Sequence, residues 1–315
     1  MTKRILLVTS YDGTGYAGFQ AQKSGVPTIE GELNRALTEL TGEPVEVSGA
    51  SRTDAGVHAR CNLAVFDTQS RIPGDKFAHA LNVRLPDQIC VTRSLEVPGD
   101  FHPRFCSTVK TYEYRIYNAQ MPDPIRRLYT YFSRYQFDPE AMRRAARYLE
   151  GEHDFKSFCS TYTSAKTTVR EVLSVEVEEV PLYPQGLSEG TVTGAAQRLG
   201  EESATGTTQG PGEGSVTGTA QGTDPDPAGQ EQGDFRSAMP REIVIRVRGR
   251  GFLYNMVRII AGTLMDVGRG FRKPEEMAAI LEACDRRSAG PTAPACGLTL
   301  VRYEVLEPGM EMVFG

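Results

Sequence analysis

Two rhythms of apolar residues alternate along the chain. Period-two or continuous apolar stretches predict strands at Ile5 to Tyr11, Pro44 to Val47, Asn62 to Thr68, Ile89 to Val97, Thr108 to Tyr117 and Thr299 to Val305. Between them, Ile29, Leu33, Ala36, Leu37 and Leu40 share one helical face behind Thr28, whose hydroxyl suits an N-cap. A second helix is predicted near Gly74 to Val83. A third opens at Asp138 and Pro139, buries Met142, Ala145, Ala146 and Leu149, and stops at Gly151. A fourth runs from Leu253 to Val267 and ends at Gly268, and a fifth opens at Pro274. Strands and helices are mixed in both halves of the chain, so the pattern predicts an α+β fold of two similar parts, each like a split βαβ unit.

One segment breaks both rhythms. Residues 181–236 are rich in Gly, Thr, Gln, Glu and Pro, with a half-repeat at Thr191 to Gln197 and Ser215 to Gln221. With almost nothing apolar to bury, Gln185 to Gly233 is expected to be a disordered insert. Its flanks, Thr168 to Val180 and Glu242 to Val247, alternate like the two strands of a hairpin.

Charge changes its meaning once the insert is set aside. The whole chain carries −5, but residues 181–236 hold eight acids against two bases, which leaves the rest at +1. Arginines cluster at Arg126, Arg127, Arg134, Arg143, Arg144 and Arg147 and again at Arg246, Arg248, Arg250 and Arg258, so basic faces for a polyanion are expected. No apolar run reaches the roughly eighteen residues of a membrane span, and Met1 to Arg4 leads into a strand rather than a signal segment. The protein reads as soluble and cytoplasmic. Its six cysteines are far apart with no Cys-x-x-Cys pair, which predicts free buried thiols and neither a zinc site nor a disulfide framework.

The strongest chemical signal is Gly49-Ala50-Ser51-Arg52-Thr53-Asp54-Ala55-Gly56-Val57-His58-Ala59. It places a carboxylate on a turn two residues after a cation, which should hold the Asp54 pKa low and fit it to act as a nucleophile or charge stabiliser. Taken alone, Arg-x-Asp also fits an Asx turn in which Asp54 bonds backbone N–H groups. Gly13-Thr14-Gly15-Tyr16-Ala17-Gly18 matches G-x-G-x-x-G, but Gly25 and Pro27 separate it from the next helix. A dinucleotide fingerprint must run straight into a helix, so these glycines are assigned to a loop instead.

The string around Asp54 resembles the catalytic signature of the tRNA pseudouridine synthase A family. Further blocks occur in the family's order: Tyr11-Asp12-Gly13 with Gly18-Phe19-Gln20, Asp100-Phe101-His102 with Arg104, Lys110-Thr111-Tyr112-Glu113-Tyr114, and Gly151-Glu152-His153-Asp154-Phe155. They continue with Gly251-Phe252-Leu253-Tyr254-Asn255-Met256-Val257-Arg258 and Ala289-Gly290-Pro291-Thr292-Ala293. The family often has tryptophan where this chain has Phe19. The resemblance implies two ferredoxin-like halves, 1–107 and 108–307, joined into one antiparallel sheet with helices on one side. It implies Asp54 as the nucleophile, Tyr112 as a contact to the target base, Arg258 as the ion-pair partner of Asp54, and Arg52 as the residue that admits the base. It also implies isomerisation of uridine to pseudouridine at positions 38, 39 and 40 of the tRNA anticodon stem-loop, with tRNA as partner, no cofactor or metal, and a homodimeric assembly. Another RNA site, or a non-catalytic pair of RNA-binding modules, is the alternative. The second leaves the string around Asp54 without a role.

Overall fold

The computed structural model describes residues 2–161, 165–182, 239–307, 309 and 311–315. The expected disordered insert falls almost wholly outside the described residues. Within them, eleven strands form a single sheet with helices interspersed along the chain.

The first part contributes β1 (Lys3–Tyr11), α1 (Ile29–Thr41), β2 (Ser48–Gly49), β3 (His58–Thr68), α2 (Phe77–Asn82) and β4 (Ile89–Val97). The second contributes β5 (Thr108–Asn118), β6 (Tyr131–Ser133), α3 (Pro139–Ala146), β7 (Gly151–Asp154), β8 (Val169–Pro181) and β9 (Arg241–Gly249). After these come α4 (Met256–Gly268), α5 (Glu276–Ala283), β10 (Leu298–Val305) and β11 (Met312–Phe314). The strand order is β4-β1-β3-β10-β5-β9-β8-β7, with β2 on β3, β6 on β5 and β11 on β10.

The sheet is mixed rather than wholly antiparallel. Its two parts meet where β10 runs parallel to β3, Thr299 opposite His58 and Leu300 opposite Ala59, and β6 also runs parallel to β5. This seam places the start of β3, immediately after the Asp54 turn, beside the last long strand of the chain. The predicted hairpin is present: β8 and β9 pair antiparallel from Val172 opposite Gly249 to Pro181 opposite Arg241.

Local chemistry explains most element ends. The Thr28 hydroxyl accepts the Gly31 N–H and caps α1, and the Asp138 carboxylate accepts from Glu140 and Ala141 at the start of α3, with Pro139 in the first turn. The helix predicted from Leu253 starts three residues later, because Asn255 adopts a left-handed conformation with φ of 61°. No strand forms at Pro44 to Val47. The Val45 N–H donates to the Thr38 hydroxyl and the Val47 N–H to the Asn34 side chain, so their donors go to α1 and only Ser48–Gly49 pairs with β3.

Alternation along β5 sorts the two faces. Tyr112, Tyr114 and Ile116 point into the apolar core, where α4 buries Ile259, Ile260 and Leu264 completely. Each such side chain contributes about 1.5–3 kcal/mol on burial. Glu113 and Arg115 face the other way. There Glu113 pairs with Arg115 and Arg246, and Glu304 with Arg248. Arg246 and Arg248, expected to contribute to a basic face, are thus each paired with acids. Of the six cysteines only Cys61 and Cys159 are buried; Cys90 is exposed and the other three are half-buried, so the expectation of buried thiols holds for two.

Candidate active site

Asp54 sits on a loop between β2 and β3 that the opening motif of the chain holds in place. The Tyr11 hydroxyl lies 2.7 Å from that of Thr53, and Asn62 donates both to Tyr11 and to the Ser51 carbonyl. The Phe19 N–H donates to the Thr53 carbonyl, Gly56 N–H to Tyr16, and Val57 N–H back to Asp54, closing the turn. Two glycines make this mount possible. A Cβ on Gly13 would lie 2.1 Å from the Val57 carbonyl oxygen, and one on Gly18 would lie 2.7 Å from that of Thr53, at a φ of +93°. The G-x-G-x-x-G run is therefore a cradle for the Asp54 loop. His58 belongs to the same mount, with Nδ1 3.0 Å from the Gly13 N–H and 3.1 Å from the Asp12 carboxylate.

Arg258 reaches Asp54 from α4. Its guanidinium lies 3.6 Å from the carboxylate, an ion pair too long for a direct hydrogen bond. Three hydrogen bonds aim it. Nε donates to the Ala293 carbonyl at 2.7 Å, another nitrogen donates to the Asn255 side chain at 2.8 Å, and the Ala293 N–H donates back to the Arg258 carbonyl. Asn255 in turn donates to the Ser160 hydroxyl, and the Tyr114 hydroxyl to the Pro294 carbonyl, which ties the 289–295 segment to β5.

The electrostatics of Asp54 differ from the sequence expectation. Burial pushes its carboxyl above the usual range, and Arg258 opposes that shift. Arg52, expected to hold the pKa low, is solvent-exposed and does not pair with Asp54. Two positions along a turn do not bring side chains together. A carboxylate raised by burial and checked by one cation keeps its charge poorly solvated, which favours reactivity over solvation.

Asp54, Arg52 and Tyr112 line one cavity of about 860 Å³, together with Phe252 and Tyr254. The Tyr112 ring meets Phe252 edge-on at 5.2 Å between centroids. Burial, reinforced by Tyr11 and the Asp54 charge, pushes the Tyr112 phenol far up, so it stays protonated through neutral pH. Among the described residues Asp54 is the one acid in the lining, against Arg52, Arg104, Lys110 and Arg170. The last three carried no assigned role in the sequence; Arg104 and Lys110 fall inside recognised blocks, but nothing local marks a cation as cavity-facing. A lining of this kind, cationic and aromatic around a single carboxylate, suits a nucleotide withdrawn from its stack. His102 hydrogen bonds to the Ser48 hydroxyl at 3.2 Å, and His153 to the Glu150 carbonyl at 2.8 Å.

Comparison with known proteins agrees with this geometry. The family described as tRNA pseudouridine synthase matches residues 7–106 and 145–304. The chain is 41% identical over 298 residues to tRNA pseudouridine synthase A of Brevibacillus brevis, covering 95% of this chain and 98% of that protein. It is 39% identical over 299 residues to the protein of the same name from Acetivibrio thermocellus, covering 95% and 98%. With that from Halalkalibacterium halodurans it shares 38% over 310 residues, covering 98% and 95%. The fold, the loop around Asp54 and these near full-length matches together make the chain a member of the tRNA pseudouridine synthase family.

Proposed function

We propose that this protein isomerises uridine to pseudouridine at positions 38, 39 and 40 of the tRNA anticodon stem-loop, with Asp54 as nucleophile. The observation that carries the reading is the buried Asp54 carboxylate, paired with Arg258 and sharing a cationic cavity with Tyr112. The reaction breaks the bond from N1 of uracil to C1′, turns the base, forms the bond from C5 to C1′, and exchanges the proton lost from C5 for one gained at N1. Its net redox change is zero, and no cofactor or metal is assigned to it. Asp54 either adds covalently to the nucleotide or removes the 2′ proton; both roles need the ionised carboxylate, which Arg258 favours. Tyr112 supplies a ring beside the target base and a hydroxyl that relays the C5 proton, taking it on oxygen as its own proton leaves toward N1. Arg52, exposed at the mouth, admits the base, whose removal from the helix costs roughly a few kcal/mol.

In this reading residues 1–107 form the half carrying the nucleophile and residues 108–307 the half carrying Tyr112 and Arg258. The enzyme works in the cytoplasm as a homodimer, which sedimentation at micromolar concentration checks. Among the described residues no helix is long and apolar enough to cross a membrane. Incubation with unmodified whole tRNA, followed by mapping of pseudouridine, tests the function. Product confined to positions 38–40 supports it; product elsewhere rejects the site assignment, and no product rejects the activity.

A further inference from the structure

Lys110 is a cation inside the cavity that has no carboxylate partner among the described residues. It lies on β5 two residues before Tyr112, on the same face of the strand, and opposite Gly249 of β9 and Tyr303 of β10. Its ammonium stands 5.2 Å from the centre of the Tyr303 ring. The other charged or titratable groups acting on it are Cys106 and Arg104, from the segment leading into β5. The same cavity is lined by Arg52 and Asp54 of the Asp54 loop and by Arg170 on β8, with Tyr112 on the strand of Lys110 itself. Asp54 is already engaged by Arg258. A half-buried ammonium flanked by a guanidinium and an aromatic ring has lost much of its hydration without gaining a counter-charge.

We infer that Lys110 binds a phosphate of the target nucleotide and so fixes the flipped uridine against Tyr112 and Asp54. The inference rests on the proposed activity toward tRNA and adds a contact to the nucleotide backbone. Phosphate rather than the uracil ring is the ligand because the lining's carboxylate, Asp54, is held by Arg258, and a base offers only neutral oxygens. Burial, with Arg104 adding to it, pushes the Lys110 pKa down to about 8. The free enzyme therefore holds the lysine near its titration point, and an incoming phosphate restores full protonation.

The test is kcat/KM for unmodified tRNA as a function of salt and pH, in wild type, Lys110→Met and Lys110→Arg. Loss of one phosphate contact in Lys110→Met should lower kcat/KM by about ten- to a hundredfold. It should also flatten the plot of log kcat/KM against log salt by about 0.9. Lys110→Arg should restore the slope and, because guanidinium stays charged, keep its rate above about pH 8, where wild type declines. A role confined to packing beneath Tyr112 moves neither the slope nor the alkaline limb. Lys110→Met with the wild-type salt slope overturns the inference, whatever its turnover. If that variant does not fold, identical alkaline limbs for wild type and Lys110→Arg overturn it instead. Wild-type pseudouridine formation on the same tRNA separates these outcomes from failure of the proposed activity.

Discussion

Arg258 lies 3.6 Å from Asp54 and is pinned by the Ala293 carbonyl and the Asn255 side chain, so residues distant in sequence set the charge state of one carboxylate. Burial raises the Asp54 pKa and Arg258 lowers it. In the proposed mechanism only the ionised carboxylate acts, so activity should be lost as pH falls through that pKa. Arg258→Ala removes the opposing influence, so the acid limb of the kcat profile should move to higher pH. Turnover at neutral pH should fall about tenfold or more, as expected for losing roughly 1.5 kcal/mol of charge interaction. An acid limb that stays in place would show that the pair does not control Asp54.

Tyr112→Phe keeps the ring and its edge contact with Phe252 while removing the hydroxyl. General acid–base groups contribute about a hundredfold or more, so kcat should drop by about that much with KM little changed. Steady-state kinetics on tRNA decides it: unchanged kcat would leave Tyr112 only a stacking role.

The turn around Asp54 was legible in the sequence because its chemistry is written in neighbouring residues, and α1 and α3 because Thr28 and Asp138 cap them locally. Relations made by folding were harder to read. Arg52 is close to Asp54 along the chain, yet the cation that acts on it comes from α4; only the family resemblance pointed to Arg258. Arg246 and Arg248 read as a basic cluster in sequence, but folding brings Glu113 of the adjacent β5 to Arg246, and Glu304 of β10, one strand further, to Arg248. The cavity's own cations, Arg104, Lys110 and Arg170, come from separate segments that share no local pattern. Pro44 to Val47 has strand composition but spends its donors on Asn34 and Thr38.

Gly18 supports the loop by bringing its backbone against Thr53. Gly18→Ala would put a Cβ 2.7 Å from the Thr53 carbonyl at a φ of +93°, so the loop or the glycine must move. A destabilisation of roughly 1–3 kcal/mol is expected. Thermal unfolding should show a lower Tm, with kcat reduced because Asp54 is displaced. Retention of both values would mean the loop is not held through this contact.

Among the described residues the β8–β9 pairing runs out to Pro181 opposite Arg241, on either side of the acidic insert. Replacing Gln185 to Gly233 with Gly-Asn-Gly should leave fold and turnover nearly unchanged, because loop-closure entropy grows only logarithmically with length. Circular dichroism and tRNA kinetics check this. Loss of activity in a folded protein would give the insert a function in catalysis.

The central claim is that the Asp54 carboxylate performs the bond-breaking step. Asp54→Asn keeps the shape of the side chain while removing its charge and nucleophilic oxygen. The decisive measurement is pseudouridine formed per mole of bound tRNA by the folded Asp54→Asn protein. It should fall to background while tRNA affinity stays within a few-fold of wild type. Formation at the wild-type rate by a folded, tRNA-binding Asp54→Asn protein would contradict the account.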